Sequence, residues 1–318
     1  MQHRVFVTGA TGYLGSAIAA RLRRSGNEVF GLTRSPDRAG ALAALGITPV
    51  VGDLGKTDAF LGALRNCDAV VHAAAESGPH WAEQDEKALA AIRSAAQDGR
   101  VRRVLYTSGV WVHGDTGGAV VDESTALNPL ALVHWRAAHE DAALDLGEHE
   151  AQTIVFRPGI VYGESRGIIG AMFAEAREKR TVTYPGTGDQ QWCLVHRDDV
   201  AEAFALALEH GRGGERFILV DESRLTVRQI AEAIARVAGA ALKPWDAQDV
   251  RAKLGLYGEA LLTSQRATSA KARRKLGWVP RHTSFVNEAE ELHRDWQAQQ
   301  ARWGSGGTAP RAWRTAPP

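Results

Sequence analysis

Residues 4–20, RVFVTGATGYLGSAIAA, pass from an apolar strand pattern into a helical pattern through a turn that holds Gly9, Gly12 and Gly15. Gly9 permits the tight turn, Gly12 lets backbone approach a pyrophosphate, and Gly15 lets the helix pack on the strand. The helix starts with unpaired N–H groups and the positive end of its dipole, which suits a phosphate. Glycine-rich turns are common, so the triplet alone says little. Its place between a strand and a helix specifies the start of a dinucleotide-binding unit. Thr11, Tyr13 and Leu14 complete the loop as expected cofactor contacts.

The alternation continues. NEVFGLTR, ITPVVGDL, CDAVVHAAA, RVRRVLYTS and AQTIVFRPG read as further strands, with helical patterns such as VHWRAAHEDAALDL between them. Strands alternating with helices predict an α/β fold, a doubly wound parallel sheet of Rossmann type. The boundaries expected are a dinucleotide-binding domain over 1–160, with sheet segments returning at about 192–220. A smaller C-terminal α/β substrate lobe is expected from 161–191 and 221–300. Within the later region, helices are expected near 168–180, 198–209 and 226–238, with strands WCLVH and ERFILV. The last stretch, 304–318, is rich in Gly, Pro, Ser and Thr and reads as a disordered tail.

Composition excludes several classes. The net charge of +1 offers no basic footprint for nucleic acid. No apolar run approaches the roughly 20 residues of a membrane helix. Cys67 and Cys193 make neither a disulfide framework nor a metal quartet, and no HExxH or CxxC occurs, so no metal site is expected. The first residues enter a strand at once, without a charged-then-apolar leader, and a cytoplasmic protein is expected.

The tip of the second strand bears on which dinucleotide binds. An Asp or Glu there suits a free ribose 2′-hydroxyl, whereas an Arg suits a 2′-phosphate. GLTRSPDR places Arg34 at the tip and Arg38 a turn later. A guanidinium matches phosphate oxygens bidentately, so NADP is favoured over NAD.

Together TGATGYLG, GDL (52–54), VHAAA (71–75), LYTSGVWVHG (105–114), RPGIVYG (157–163), WCLVHRDDVAEAF (192–204) and LGWVPR (276–281) resemble the extended short-chain dehydrogenase/reductase superfamily, the NAD-dependent epimerase/dehydratase group. The resemblance covers about residues 3–290. It implies that Asp53 and Leu54 lie beside the adenine, that Ala73, Ala74 and Ala75 line the dinucleotide, and that Thr107 touches the cofactor. Pro158, Gly159 and Ile160 would flank the nicotinamide. It also implies a small-molecule substrate and a possible homodimer.

One motif departs from that family. Its chemistry rests on a Tyr acid/base, a Lys four residues later that lowers the phenol pKa, and a Ser or Thr after the fifth strand. A phenol with pKa near 10 transfers protons poorly at neutral pH without such a cation. In NPLALVHWRAAHED, aligning Glu140 with the family's acidic residue puts Arg136 at the Lys and Leu132 at the Tyr; a shifted alignment offers Trp135 and His139. Neither supplies a tyrosine. Arg136 is expected to hold the ribose and nicotinamide end, and it stays protonated. Ser108, next to the Ser/Thr position Gly109, is a candidate for substrate contact. His113 and His134 are the neighbouring groups that titrate near neutrality. Tyr162 is a further candidate acid and substrate contact.

Sugar-nucleotide members carry an Arg that grips the diphosphate; counting back from His196 puts Trp192 in its place. An indole stacks on apolar groups and cannot clamp a phosphate. Trp81, Trp111 and Trp135 also border the family's cleft. The pattern points to a smaller, less charged substrate, with Trp111 and Trp192 among its contacts. Three functional readings result: an atypical NAD(P)-dependent oxidoreductase acting on a small carbonyl or hydroxyl compound, a nucleotide-sugar epimerase or dehydratase with non-standard acid/base groups, and a cofactor-binding sensor without turnover.

Overall fold

The structure, a computed structural model, describes residues 2–75, 78, 80–149 and 151–303. The first half follows the alternation: β1 (Arg4–Thr8), α1 (Tyr13–Arg24), β2 (Glu28–Thr33), α2 (Pro36–Ala44), β3 (Thr48–Val51), α3 (Asp58–Arg65), β4 (Ala69–His72), α4 (Trp81–Asp98) and β5 (Arg103–Thr107). A 3-10 turn (Val110–His113), β6 (Val120–Val121) and a second 3-10 turn (Ala131–Val133) lead to α5 (Trp135–His149) and β7 (Gln152–Pro158). The remainder comprises β8 (Ile160–Tyr162), α6 (Gly167–Lys179), β9 (Thr181–Pro185), β10 (Leu194–His196), α7 (Arg197–His210), β11 (Glu215–Leu219), α8 (Val227–Ala238), β12 (Ala241–Trp245), α9 (Ala247–Leu254), α10 (Leu256–Leu262), β13 (Arg266–Ala267), α11 (Ala270–Leu276) and α12 (Phe285–Trp303).

Seven strands form one parallel sheet in the order β3–β2–β1–β4–β5–β7–β11. The runs Val5–Phe6–Val7, Val104–Leu105–Tyr106 and Ile154–Val155–Phe156 are buried throughout, as strands covered on both faces must be. One face packs Val5, Val7 and Phe156 against Ile18 and Leu22 of α1 and Phe204 and Leu208 of α7. The other packs Phe6, Val70 and Val104 against Phe60 and Leu64 of α3 and Ile92 of α4. The carboxyl ends of β1, β2, β4, β5 and β7 open onto one edge, where ligands bind in open α/β sheets.

The lobe has its own core, with Met172 and Phe173 of α6, Ile230 and Ile234 of α8, and Trp296 of α12. Within 192–220 the two expected strands part company. Glu215–Leu219 joins the sheet beside β7, whereas Leu194–His196 pairs with β8 in a separate two-stranded ribbon. The divergence happens at Gly159, whose N–H bonds Leu219 O while the next N–H, of Ile160, bonds Cys193 O. A Cβ at Gly159 would lie 2.4 Å from Cys193 O, so only glycine lets the chain pass here. The stretch expected to be a disordered tail, 304–318, lies outside the described residues.

Candidate cofactor cleft

The glycine turn is built for close approach. Gly9 has φ +68°, and a Cβ on it would sit 2.7 Å from Ala74 Cα and 2.8 Å from Ala73 O. A Cβ on Gly15 would meet Gly9 O at 2.2 Å, so α1 can pack on the turn only without one. The Gly12 N–H donates to Gly9 O at 2.7 Å. Gly12 caps α1 with no side chain, and the first turn holds no acidic residue, so the helix N-terminus faces outward with N–H groups to spare. Thr8 Oγ1 accepts the N–H groups of Ala73 and Ala74 at 3.2 Å each, which ties the end of β4 to the end of β1.

This turn forms one wall of a cleft of about 520 Å³ along the sheet's carboxyl edge. Of the expected cofactor residues, Gly9, Thr11, Gly12, Tyr13, Leu14, Arg34, Leu54, Ala73, Ala74, Ala75, Thr107, Arg136, Pro158, Gly159 and Ile160 line it. Gly15 supports the turn from behind. Asp53 is not among the lining residues; its Oδ1 accepts the Gly55 N–H at 2.7 Å and shapes the local turn. The dinucleotide fits this wall, since a Cβ would fill the cradle and an uncapped helix start faces it.

Three arginines meet at the β2 end of the cleft: Arg34, Arg38 and Arg166. Arg166 comes from the far side, just before α6, and its Nη1 donates to Thr11 O at 3.3 Å. Burial depresses the Arg166 pKa, and the Arg38 charge depresses it further. Sequence reasoning overlooked Arg166 because no local pattern marks it; only the return of the chain after β8 brings it to Thr11 and within reach of the Arg38 charge.

At the other end Arg136 enters from the first turn of α5. It is 7% exposed, and its Nη1 donates to Thr107 O at 3.1 Å. Its guanidinium lies 5.0 Å from the Trp81 ring and 4.6 Å from the Trp135 ring, within cation–π range. Val133 and Arg136 line the cleft, whereas Leu132, which the alignment by Glu140 puts at the tyrosine position, does not. Ser108 Oγ and Thr107 Oγ1 are buried without a hydrogen-bond partner among the described residues, and both residues line the cleft. Trp111 also lines it, edge-on to Tyr257 with ring centroids 6.4 Å apart.

The other candidates stand elsewhere. His134 is exposed, with Nδ1 3.1 Å from Ala131 O, and does not line the cleft. His113 lies behind it, with Nε2 accepting from Arg157 Nη1 at 3.2 Å. Burial, with the Arg157 charge, lowers its pKa to about 4, so it is neutral at pH 7. Tyr162 is fully buried in the lobe, edge-on to His196 and Phe285, and burial drives its phenol far above the usual range. Trp192 packs in the lobe core with Nε1 donating to Leu261 O at 3.1 Å, so it offers its ring to α10 and not to a ligand. His196 caps α7 by accepting the Asp198 N–H. Its near neighbours Asp199 and His282 are likewise engaged, Asp199 by the Arg281 and His282 N–H groups and His282 Nδ1 by Glu288. A His196 ring that accepts through Nδ1 carries its proton on Nε2 and makes a poor metal ligand.

Behind Arg136 runs a buried polar chain. Thr8 Oγ1 meets His72 Nδ1 at 2.8 Å, and His72 Nε2 meets Asp85 Oδ1 at 3.0 Å. The Tyr106 hydroxyl donates to Asp85 Oδ2 at 2.8 Å, and His139 Nδ1 lies 2.7 Å from the same oxygen. Burial pushes the Asp85 carboxyl up, but the His139 and His72 contacts and the nearby Arg136 charge outweigh it and hold the group well below the usual range.

Fold and glycine cradle together define a Rossmann-type dinucleotide-binding protein. The model of the NAD dependent epimerase/dehydratase family matches residues 5–219, and the chain belongs to that family. It is an enzyme, an NAD(P)-dependent oxidoreductase. An uncharacterised protein of Schizosaccharomyces pombe is 28% identical over 90% of this chain and 97% of its own length. A 4-hydroxy-2-methyl-3-oxo-4-farnesyl-3,4-dihydroquinoline-1-oxide ketoreductase of Stigmatella aurantiaca is 26% identical over 88% of this chain and 93% of its own. Among solved structures, the dTDP-glucose 4,6-dehydratase DesIV of Streptomyces venezuelae with NAD bound superposes with a TM-score of 0.81 at 23% identity, covering 95% of this chain and 99% of that one.

Proposed function

We propose that the protein is an NADP-dependent reductase or dehydrogenase of a small carbonyl or hydroxyl compound that works without a tyrosine acid. The convergence of Arg34, Arg38 and Arg166 at the β2 end of the cleft carries the choice of NADP. Three guanidinium groups line this end of the cleft, and their planar donors match the oxygens of a 2′-phosphate. The diphosphate would rest on the Gly12 end of α1, with the adenine beside Leu54 and the nicotinamide end between Thr107 and Pro158–Ile160. When bound, the dinucleotide supplies hydride transfer.

The chain's own groups at the reacting end are Arg136, Ser108 and Thr107. Arg136 is a permanent cation at the substrate end of the cleft, and the Ser108 hydroxyl is the donor for a substrate carbonyl oxygen. Among the described residues no Asp, Glu, Lys or His lines the cleft, so the proton would come from water. The name of the Stigmatella relative, a ketoreductase, favours the carbonyl direction. Burial of Trp192 in the lobe core speaks against a diphosphate grip on a nucleotide sugar.

Titration with NADPH and NADH tests the cofactor choice. NADPH is expected to bind at least tenfold more tightly, and Arg34→Ala and Arg166→Ala are each expected to cut that preference by about tenfold, the worth of one charge-assisted hydrogen bond. An unchanged preference in both variants contradicts NADP. Pairing of two copies and a cytoplasmic setting belong to the same proposal. No helix among the described residues is long and apolar enough to cross a membrane, and light scattering after size exclusion reads the oligomer.

A further inference from the structure

Arg136 presents a charge problem. It is 7% exposed, yet no carboxylate among the described residues lies within ion-pair distance of it. Asp85 is close enough for the Arg136 charge to influence it, but its oxygens already serve His72, Tyr106 and His139. A buried guanidinium is expensive without an anion. The cofactor's anionic groups belong at the opposite end: β1 and β5 are separated by β4, which puts their ends roughly 10 Å apart at the usual strand spacing.

The surroundings of Arg136 repeat its polarity. Trp81 Nε1 is a buried donor with no partner among the described residues, and Trp81 lines the cleft. The unpartnered Ser108 and Thr107 hydroxyls are free to turn and donate. Arg136 and Trp81 can only donate. Around these donors stand Val110, Trp111, Val133 and Ile160. The site is thus a set of donors with one buried cation at its centre and apolar walls.

We propose, resting on the reductase reading above, that the substrate is an oxo acid with an apolar body. Its carboxylate pairs with Arg136 and Trp81 Nε1, and its neighbouring carbonyl oxygen reaches the Ser108 hydroxyl. Arg136 is then the residue that sets specificity for acids over their esters, while the indoles of Trp81 and Trp135 hold its guanidinium in place. Reduction adds hydride to the carbonyl carbon, shifts the C=O π pair onto oxygen and takes one proton from water, leaving a hydroxy acid and oxidised dinucleotide.

Benzoylacetate and ethyl benzoylacetate are the probes, used with NADPH on the full chain. The acid is expected to show at least tenfold higher kcat/KM than the ester. Arg136→Gln should bring the two within about threefold of each other, Arg136→Lys should restore part of the gap, and Trp81→Phe should narrow it severalfold. The NADPH Kd should change by less than threefold in all three. If Arg136→Gln weakens NADPH tenfold and leaves the acid-to-ester ratio intact, Arg136 serves the cofactor and the proposal is overturned. If acid and ester react equally well in the wild type, the oxo-acid assignment fails while the reductase reading stands. If neither is reduced, calorimetry decides: tight binding of the acid alone, lost in Arg136→Gln, upholds the anion site and sinks the reductase reading, and equal binding of both overturns the anion site.

Discussion

Glu140 on α5 and Arg157 on β7 form a buried ion pair, with the guanidinium Nε at 3.0 and 3.1 Å from the two carboxylate oxygens and Nη2 at 2.5 Å from Oε2. Arg216 on β11 adds a contact to Oε2 at 3.3 Å. The pair fastens α5 to the sheet one turn after Arg136, so it sets where the cleft cation stands. Glu140→Ala strands a buried guanidinium and is expected to cost about 3–5 kcal/mol. Urea unfolding measures this; a loss under 1 kcal/mol contradicts the anchor role.

The Gly15 contact gives a sharper steric expectation. A methyl there would sit 2.2 Å from Gly9 O, a backbone atom that cannot turn aside. Gly15→Ala should cost about 1–3 kcal/mol of stability, the usual range for overpacking. By distorting the phosphate turn it should weaken dinucleotide binding at least tenfold, as read by fluorescence titration. Gly40→Ala, at an open position in α2, is the control: it should leave dinucleotide binding unchanged and raise stability by about 0.5–1 kcal/mol.

Asp221, after β11, supplies a pH expectation. Burial pushes its carboxyl from 3.8 up to about 6, and its Oδ2 has no hydrogen-bond partner among the described residues. The folded chain therefore holds this proton more tightly than the unfolded chain. The stability that protonation contributes is fully present below about pH 4 and is lost as pH rises through about 6. A shift of about two pKa units is worth about 3 kcal/mol. Asp221→Asn removes the titration, so its stability relative to wild type should climb by about that amount between pH 4 and pH 7. Parallel curves for the two proteins across that window would refute the account.

Ser108 tests the polar end of the cleft. Its hydroxyl is buried, unpartnered and beside Arg136's bond partner Thr107. Ser108→Ala should lower kcat/KM for a carbonyl substrate roughly tenfold or more, the worth of one hydrogen bond to developing charge, while the NADPH Kd holds steady. A matching loss in NADPH affinity would assign the hydroxyl to the cofactor instead.

The parallel sheet and the phosphate turn were legible because both are local: apolar runs of strand length, and glycines at positions a Cβ would block. Arg34 and Arg136 were legible for the same reason, each lying a fixed distance from a recognisable strand or helix. What escaped was set by chain return. Arg166 reaches Thr11 across the cleft from a residue 155 positions away. Asp85 gathers His72, Tyr106 and His139 from three elements. Trp192 and Tyr162, read as cleft residues, turn inward because the β8–β10 ribbon directs them to the lobe core. The lobe was the least legible region. β12 is an exposed edge strand containing Pro244, and α12 carries its buried stripe Phe285, Ala289, Leu292 and Trp296 among many polar residues.

As proposed, the cleft keeps a dinucleotide site and a permanent cation, Arg136, while among the described residues no titrating acid that lines it replaces the phenol. The pH dependence of kcat for NADPH-driven carbonyl reduction, from pH 6 to 9, tests it most directly. Arg136 stays charged and His113 stays neutral over that range, so kcat should vary by less than about threefold. A limb with an apparent pKa between 6.5 and 8.5 that vanishes in His113→Gln or His134→Gln would show that a histidine supplies the proton, and would contradict the account.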